Sequence, residues 1–100
     1  MTDDWLQARY EKDPNIVYRE IAGEAILVPI RKHLADMEAI YALNETGAFV
    51  WQLFDGQRTL GDIRDIVLYE YDTVPDQVEG DLRELTEQLA SIGAIRVVAP

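Results

Sequence analysis

Residues 43–63 read Leu43-Asn44-Glu45-Thr46-Gly47-Ala48-Phe49-Val50-Trp51-Gln52-Leu53-Phe54-Asp55-Gly56-Gln57-Arg58-Thr59-Leu60-Gly61-Asp62-Ile63. Asn44 is a good helix N-cap, because its short side chain can accept a bond from an orphan amide of the first turn. Gly47, Val50, Trp51 and Phe54 then recur at helical spacing, with Phe49 and Leu53 on a neighbouring stripe. A helix so apolar, running to about Phe54, belongs in the middle of a fold. Asp55-Gly56 supplies the stop, since glycine adopts the left-handed conformation that ends helices. Thr59 caps the next helix, and Asp62 completes a capping-box pattern with Asp in place of Glu.

Downstream, Leu60, Ile63 and Val67 face inward on that second helix, and Tyr71 closes it. Pro75 suits the first turn of a third helix. Val78, Leu82, Leu85, Leu89 and Ile92 form its apolar stripe, and Gly93 ends it. Gly80 sits in the exposed middle and costs roughly 1 kcal/mol against Ala, so this helix relies on packing. Residues 96–98 add a short terminal strand.

Upstream, residues 16–22 and 25–30 are two β-rich runs around Gly23-Glu24, which is a hairpin signal. Pro29 belongs near a strand end or at an edge, because it has no N–H to donate. Residues 31–36 form a charged connection. Residues 38–43 read as a third strand, with Ala39, Tyr41 and Leu43 on one face and Ile40 and Ala42 on the other. Residues 1–15 are polar and unpatterned and read as a flexible lead, with Trp5 and Tyr10 as anchors; the domain proper spans 16–98. The expected fold class is α+β: a three-stranded antiparallel sheet followed by three helices, the outline of a winged helix-turn-helix.

The chain has 100 residues and 48% hydrophobic content, enough for one modest core. It has no cysteine, which excludes disulfides and thiolate metal sites. No apolar stretch reaches membrane-spanning length, and the first ten residues lack the build of a secretion signal, so a cytoplasmic protein without membrane association is expected. The formal net charge of −10 comes from 19 acidic against 9 basic residues and repels polyanions, so no nucleic-acid partner is expected.

Catalytic and metal chemistry find little support. His33 is the single histidine and lies in the charged connection without a companion ligand, so no metal is expected. The pairs Asp62/Asp65 and Asp72/Asp76 fit helix starts and polar faces, and they lack calcium-loop spacing. Asn44-Glu45-Thr46 matches a glycosylation sequon but is better read as the helix start. Phe49, Trp51 and Phe54 could form a ligand cage, yet their spacing is that of core packing. No catalytic residue and no cofactor are expected. The third strand remains: it would close the sheet with unpaired backbone groups, which an extended peptide can satisfy while a flanking helix offers side-chain pockets. The same edge admits a second copy of the chain, so a self-associating interaction module is the alternative.

The ordered run 43–63, continued by Tyr71, Val78, Asp81-Leu82, Leu85, Leu89 and Gly93-Ala94-Ile95, resembles the PqqD family. Members of that family are small peptide-binding proteins of peptide-modification pathways. The resemblance implies a non-catalytic domain that binds the leader of a ribosomal precursor peptide by strand addition, between the third strand and the third helix. It implies a second partner too, a modifying enzyme such as a radical S-adenosylmethionine protein. On this chain the implied peptide-binding residues are Ala39, Ile40, Tyr41, Ala42 and Leu43 on the strand, with Val78, Asp81, Leu82 and Leu85 on the helix. Asp81 occupies the family's acidic helix position, where it could pair with a basic leader residue or with a local arginine. The 31–36 connection and the Arg19/Glu20 pair differ from the pyrroloquinoline quinone member, so the resemblance implies the family and not a particular product.

Overall fold

The computed structural model describes residues 4–30 and 41–98. In chain order they form a 3-10 turn (Asp4–Gln7), then β1 (Arg9–Lys12), β2 (Ile16–Ile21), β3 (Glu24–Pro29) and β4 (Tyr41–Leu43). There follow α1 (Glu45–Trp51), β5 (Asp55–Thr59), α2 (Leu60–Glu70), α3 (Pro75–Ser91) and β6 (Ile95–Val97). The class is α+β, with three helices and two small antiparallel sheets instead of the one expected, ordered β2-β3-β4 and β5-β1-β6. The expected third strand begins at Tyr41 within the described residues; Glu38, Ala39 and Ile40 lie outside them, as do the 31–36 connection and His33.

The first sheet follows its sequence closely. Ile21 pairs with Glu24 across the two-residue turn Ala22-Gly23, and both turn residues have positive φ, 53° and 82°. That is the primed-turn geometry whose twist matches a hairpin. The turn sits one residue earlier than the Gly23-Glu24 separation expected. On the inward face Ala25, Leu27 and Leu43 enter the core, with Leu27 fully buried. β4 pairs with β3 through Ala25↔Leu43, Ile26↔Ala42 and Leu27↔Tyr41.

The second sheet corrects the expected order of strands before helices. Residues 1–15 read as a flexible lead, yet Arg9–Lys12 is the central strand of this sheet, flanked by β5 and β6. Its sequence, Arg-Tyr-Glu-Lys, carries no apolar alternation, so nothing local marks it as a strand. Backbone pairing with segments far along the chain holds it, and ion pairs tighten the sheet: Arg96 Nε meets Glu11 Oε2 at 2.8 Å. Tyr10 stacks edge-on against Phe54, and the Arg83 guanidinium lies 5.5 Å from the Trp5 ring centroid, so both aromatic residues of the lead touch the body.

Local chemistry near the helices matches the reading of residues 43–63, with one change. The α1 helix ends at Trp51 and not at Phe54. Amides of Leu53 and Phe54 reach back only three residues, to Val50 and Trp51 carbonyls, a tightened final turn. Lys12 of β1 then donates to the Phe54 carbonyl at 3.2 Å while sitting over the Trp51 ring. Burial pulls its ammonium below the ordinary lysine value, with Asp55 acting in the opposite direction. Asp55-Gly56 does form a tight turn, in which the Asp55 carboxylate accepts from the amides of Gln57 and Arg58. The same residues also pair with β1, across an irregular register between Arg9 and Glu11 that Gly56 accommodates at φ +78°. The Thr59–Asp62 capping box is complete in both directions, at 3.1 and 3.0 Å.

One core joins everything. Ile16, Leu27 and Leu43 of the first sheet meet Val50, Trp51, Leu60, Ile63, Val67, Val78, Leu82 and Leu89 of the helices, and Ile95 of β6. Phe49 packs edge-on against Tyr71, both at the core margin, so the aromatic set is packing and forms no cage.

Two substitutions test this account. Gly80 has open space around its missing side chain, so Gly80→Ala should stabilise the protein by about 1 kcal/mol, a rise in Tm of about 4–8 °C for a domain of this size. Ala22 holds a left-handed conformation that costs an L-residue about 1–2 kcal/mol, so Ala22→Asn should recover part of it; an unchanged or lower denaturation midpoint in urea would refute the turn assignment.

Candidate functional site

Only one residue, Asn44, separates β4 from α1. Its side-chain oxygen accepts the Gly47 amide at 2.7 Å, which turns the chain sharply out of the sheet. A Cβ on Gly47 would lie 3.1 Å from that oxygen, so the absent side chain lets the cap close. Strand β4 is thereby fixed against the helical layer, with α3 across from it.

A groove of about 550 Å³ lies between the two. Tyr41, Ala42, Leu43, Val78, Asp81, Leu82 and Leu85, expected from the sequence on one strand and one helix, all line it. Ala39 and Ile40 lie outside the described residues. Sequence reasoning did not assign to the groove Val50 and Val67, which extend its apolar floor, or Glu84 and Gln88 on the α3 rim. The latter two could have been found by continuing the helical period from Asp81, since i, i+3 and i+7 share a face.

The floor is firmly placed. Val78 and Leu82 are buried, and Leu85 is half-buried at the edge of the core. The Arg64 guanidinium, clamped between Asp65 and Glu79, ties α2 to α3 and sets the width of the helical wall. On the other side β4 is the end strand of its sheet, and among the described residues no strand pairs with its outer edge. Such an edge leaves backbone donors and acceptors free to accept another extended chain.

The groove is bridged at one end. Tyr41 Oη donates to Gln88 Oε1 at 2.5 Å, linking β4 to α3. Burial, with Glu84 nearby, raises the Tyr41 phenol above its ordinary value, so it remains a donor at physiological pH. Among the described residues the polar side chains that line the groove are carboxylates, amides, hydroxyls and the phenols of Tyr41 and Tyr71. Among the described residues no group of three or more His, Cys, Asp and Glu is placed to hold a metal ion. No helix among them is long and apolar enough to cross a membrane.

The family model described as coenzyme PQQ synthesis protein D (PqqD) matches residues 24–95. That span contains β3, β4, all three helices and the whole described lining of the groove. No curated protein matches the sequence. Among solved structures, TbiB1 in complex with the TbiA(beta) leader peptide has the same fold, with a TM-score of 0.70 at 22% identity. The match covers 90% of this chain and 99% of that one.

The bridge across the groove can be measured. Tyr41→Phe should cost about 0.5–1.5 kcal/mol in urea unfolding, the usual net worth of one such bond. Combining it with Gln88→Leu should add little further loss, because both changes remove one interaction; fully additive losses would show that the two side chains act separately.

Proposed function

The chain belongs to the PqqD family, and on that footing we propose that it is a non-catalytic recognition protein for the leader of a ribosomal precursor peptide. The leader adds as a fourth strand along the outer edge of β4 and lies in the groove against α3. Ala39, Ile40, Tyr41, Ala42 and Leu43 offer the backbone edge, and Val78, Leu82 and Leu85 take its inward side chains. Asp81 stands at the rim. One observation carries this reading: the end strand of a sheet and an apolar helix face border the same groove. Strand addition supplies affinity through main-chain bonds, and the pockets for alternate side chains supply specificity. A solved structure of the same fold, TbiB1, holds a leader peptide, which supports the choice of ligand.

In this proposal the domain works in the cytoplasm, without a cofactor, and presents the bound peptide to a modifying enzyme such as a radical S-adenosylmethionine protein. The winged helix-turn-helix outline expected from the sequence brings DNA forward as a competing ligand. The α2 and α3 helices argue against it: their basic residues, Arg64 and Arg83, are already engaged with Asp65, Glu79 and Glu87. Phosphate contacts by free Lys and Arg are what DNA binding requires. A second copy of the chain is the stronger competitor, because the β4 edge would suit a homodimer through sheet continuation.

Calorimetric titration with synthetic leader segments of short precursor peptides distinguishes these readings. Saturable binding should appear, and N-methylation at alternate backbone positions of the peptide should weaken it at least tenfold by removing ladder donors. Equal affinity for the methylated peptide would rule out strand addition. A molecular size that grows with protein concentration, together with indifference to the peptide, would favour self-association.

A further inference from the structure

We propose that the groove selects leaders carrying Lys or Arg at the alternating positions that face α3, an inference that rests on the strand-addition reading above. Three carboxylates line the groove, Asp72, Asp81 and Glu84, and no basic side chain does so among the described residues. Several acids elsewhere are matched: Asp55 with Arg58, Glu79 and Asp65 with Arg64, Glu11 and Asp13 with Arg96. Among the described residues Asp72, Asp81 and Glu84 have no such ion pair. Asp81 has only the amide of Gln77, at 2.9 Å. Three carboxylates without an ion pair thus border the space where a ligand would lie, while the ion-paired cations Arg58, Arg64, Arg83 and Arg96 stand outside the groove.

Geometry narrows the requirement. Asp81 and Glu84 are exposed on the rim above Leu82 and Leu85. Three helical residues rise about 4.5 Å. Same-face residues of an extended chain repeat about every 6.6 Å. Long basic side chains absorb that difference: their methylene stems can cross Leu82 and Leu85 while their charged heads reach the carboxylates. An acidic side chain at the same positions would bring like charges together in a partly desolvated groove, which opposes binding. The Tyr41–Gln88 bridge lies one helical turn beyond Glu84, so the basic positions fall between it and Asp72.

The test is selection of random peptides, long enough to cross the groove, on the immobilised full chain. Peptides carrying Lys or Arg at alternate positions should be enriched. Their affinity should drop as salt exceeds physiological strength, where the screening length is already about 8 Å. Asp81→Asn/Glu84→Gln should weaken them by roughly tenfold, and Asp81→Lys/Glu84→Lys should select acidic peptides instead. Both positions are exposed, and a circular dichroism spectrum matching the parent confirms the fold; if the lysine pair does not fold, the isosteric pair decides. Tight-binding peptides that are neutral or acidic would overturn the charge selection and leave the groove reading standing. If no peptide is enriched at all, both fall.

Discussion

The junction at Asn44 is the constraint on which the rest depends. A single residue carries the chain from an end strand into a buried helix, and its bond to the Gly47 amide leaves little freedom in the direction of that turn. Because Trp51 and Val50 are sunk in the core, α1 cannot swing, and β4 cannot swing with respect to it. Strand edge and helical wall are therefore held at a set separation before any ligand arrives. Pre-organisation of this kind lowers the ordering cost of binding an extended peptide.

The second sheet serves the same end from behind. β1 threads between β5 and β6, and Lys12 reaches from it to the carbonyl that follows α1. This ties down the helix whose start forms one wall of the groove. The aromatic residues that might have suggested a ligand cage brace that helix instead, with Phe54 against Tyr10, Trp51 beneath Lys12 and Phe49 against Tyr71. The molecule thus divides into a rigid back, made of the second sheet and the core, and an open front between β4 and α3.

At the back, ion pairs such as Asp55–Arg58 and Glu11–Arg96 join acids to bases. At the front, carboxylates stand over an apolar floor without a cation among the described residues. A net charge of −10 spread evenly would only keep the protein soluble, whereas charge gathered along a groove gives orientation and on-rate to an oppositely charged ligand.

Helix ends and the hairpin were legible because their signals are local. Asn44, the Thr59–Asp62 box, Pro75 and Gly93 each act within a few residues of where they stand, and the apolar stripe of α3 repeats along its own length. With the family resemblance, that stripe and the strand at Tyr41–Leu43 named Tyr41, Ala42, Leu43, Val78, Asp81, Leu82 and Leu85, which line the groove. Arg9–Lys12 and Asp55–Thr59 were not legible as strands, since polar residues that pair through backbone alone leave no periodic trace. The sequence by itself determined the helices, their caps and the edge strand. The tertiary structure alone decided that the amino-terminal segment is a central strand and that Tyr41 of β4 faces Asp81 and Glu84 of α3 across one groove, because those pairings join residues too distant along the chain for any local pattern to link.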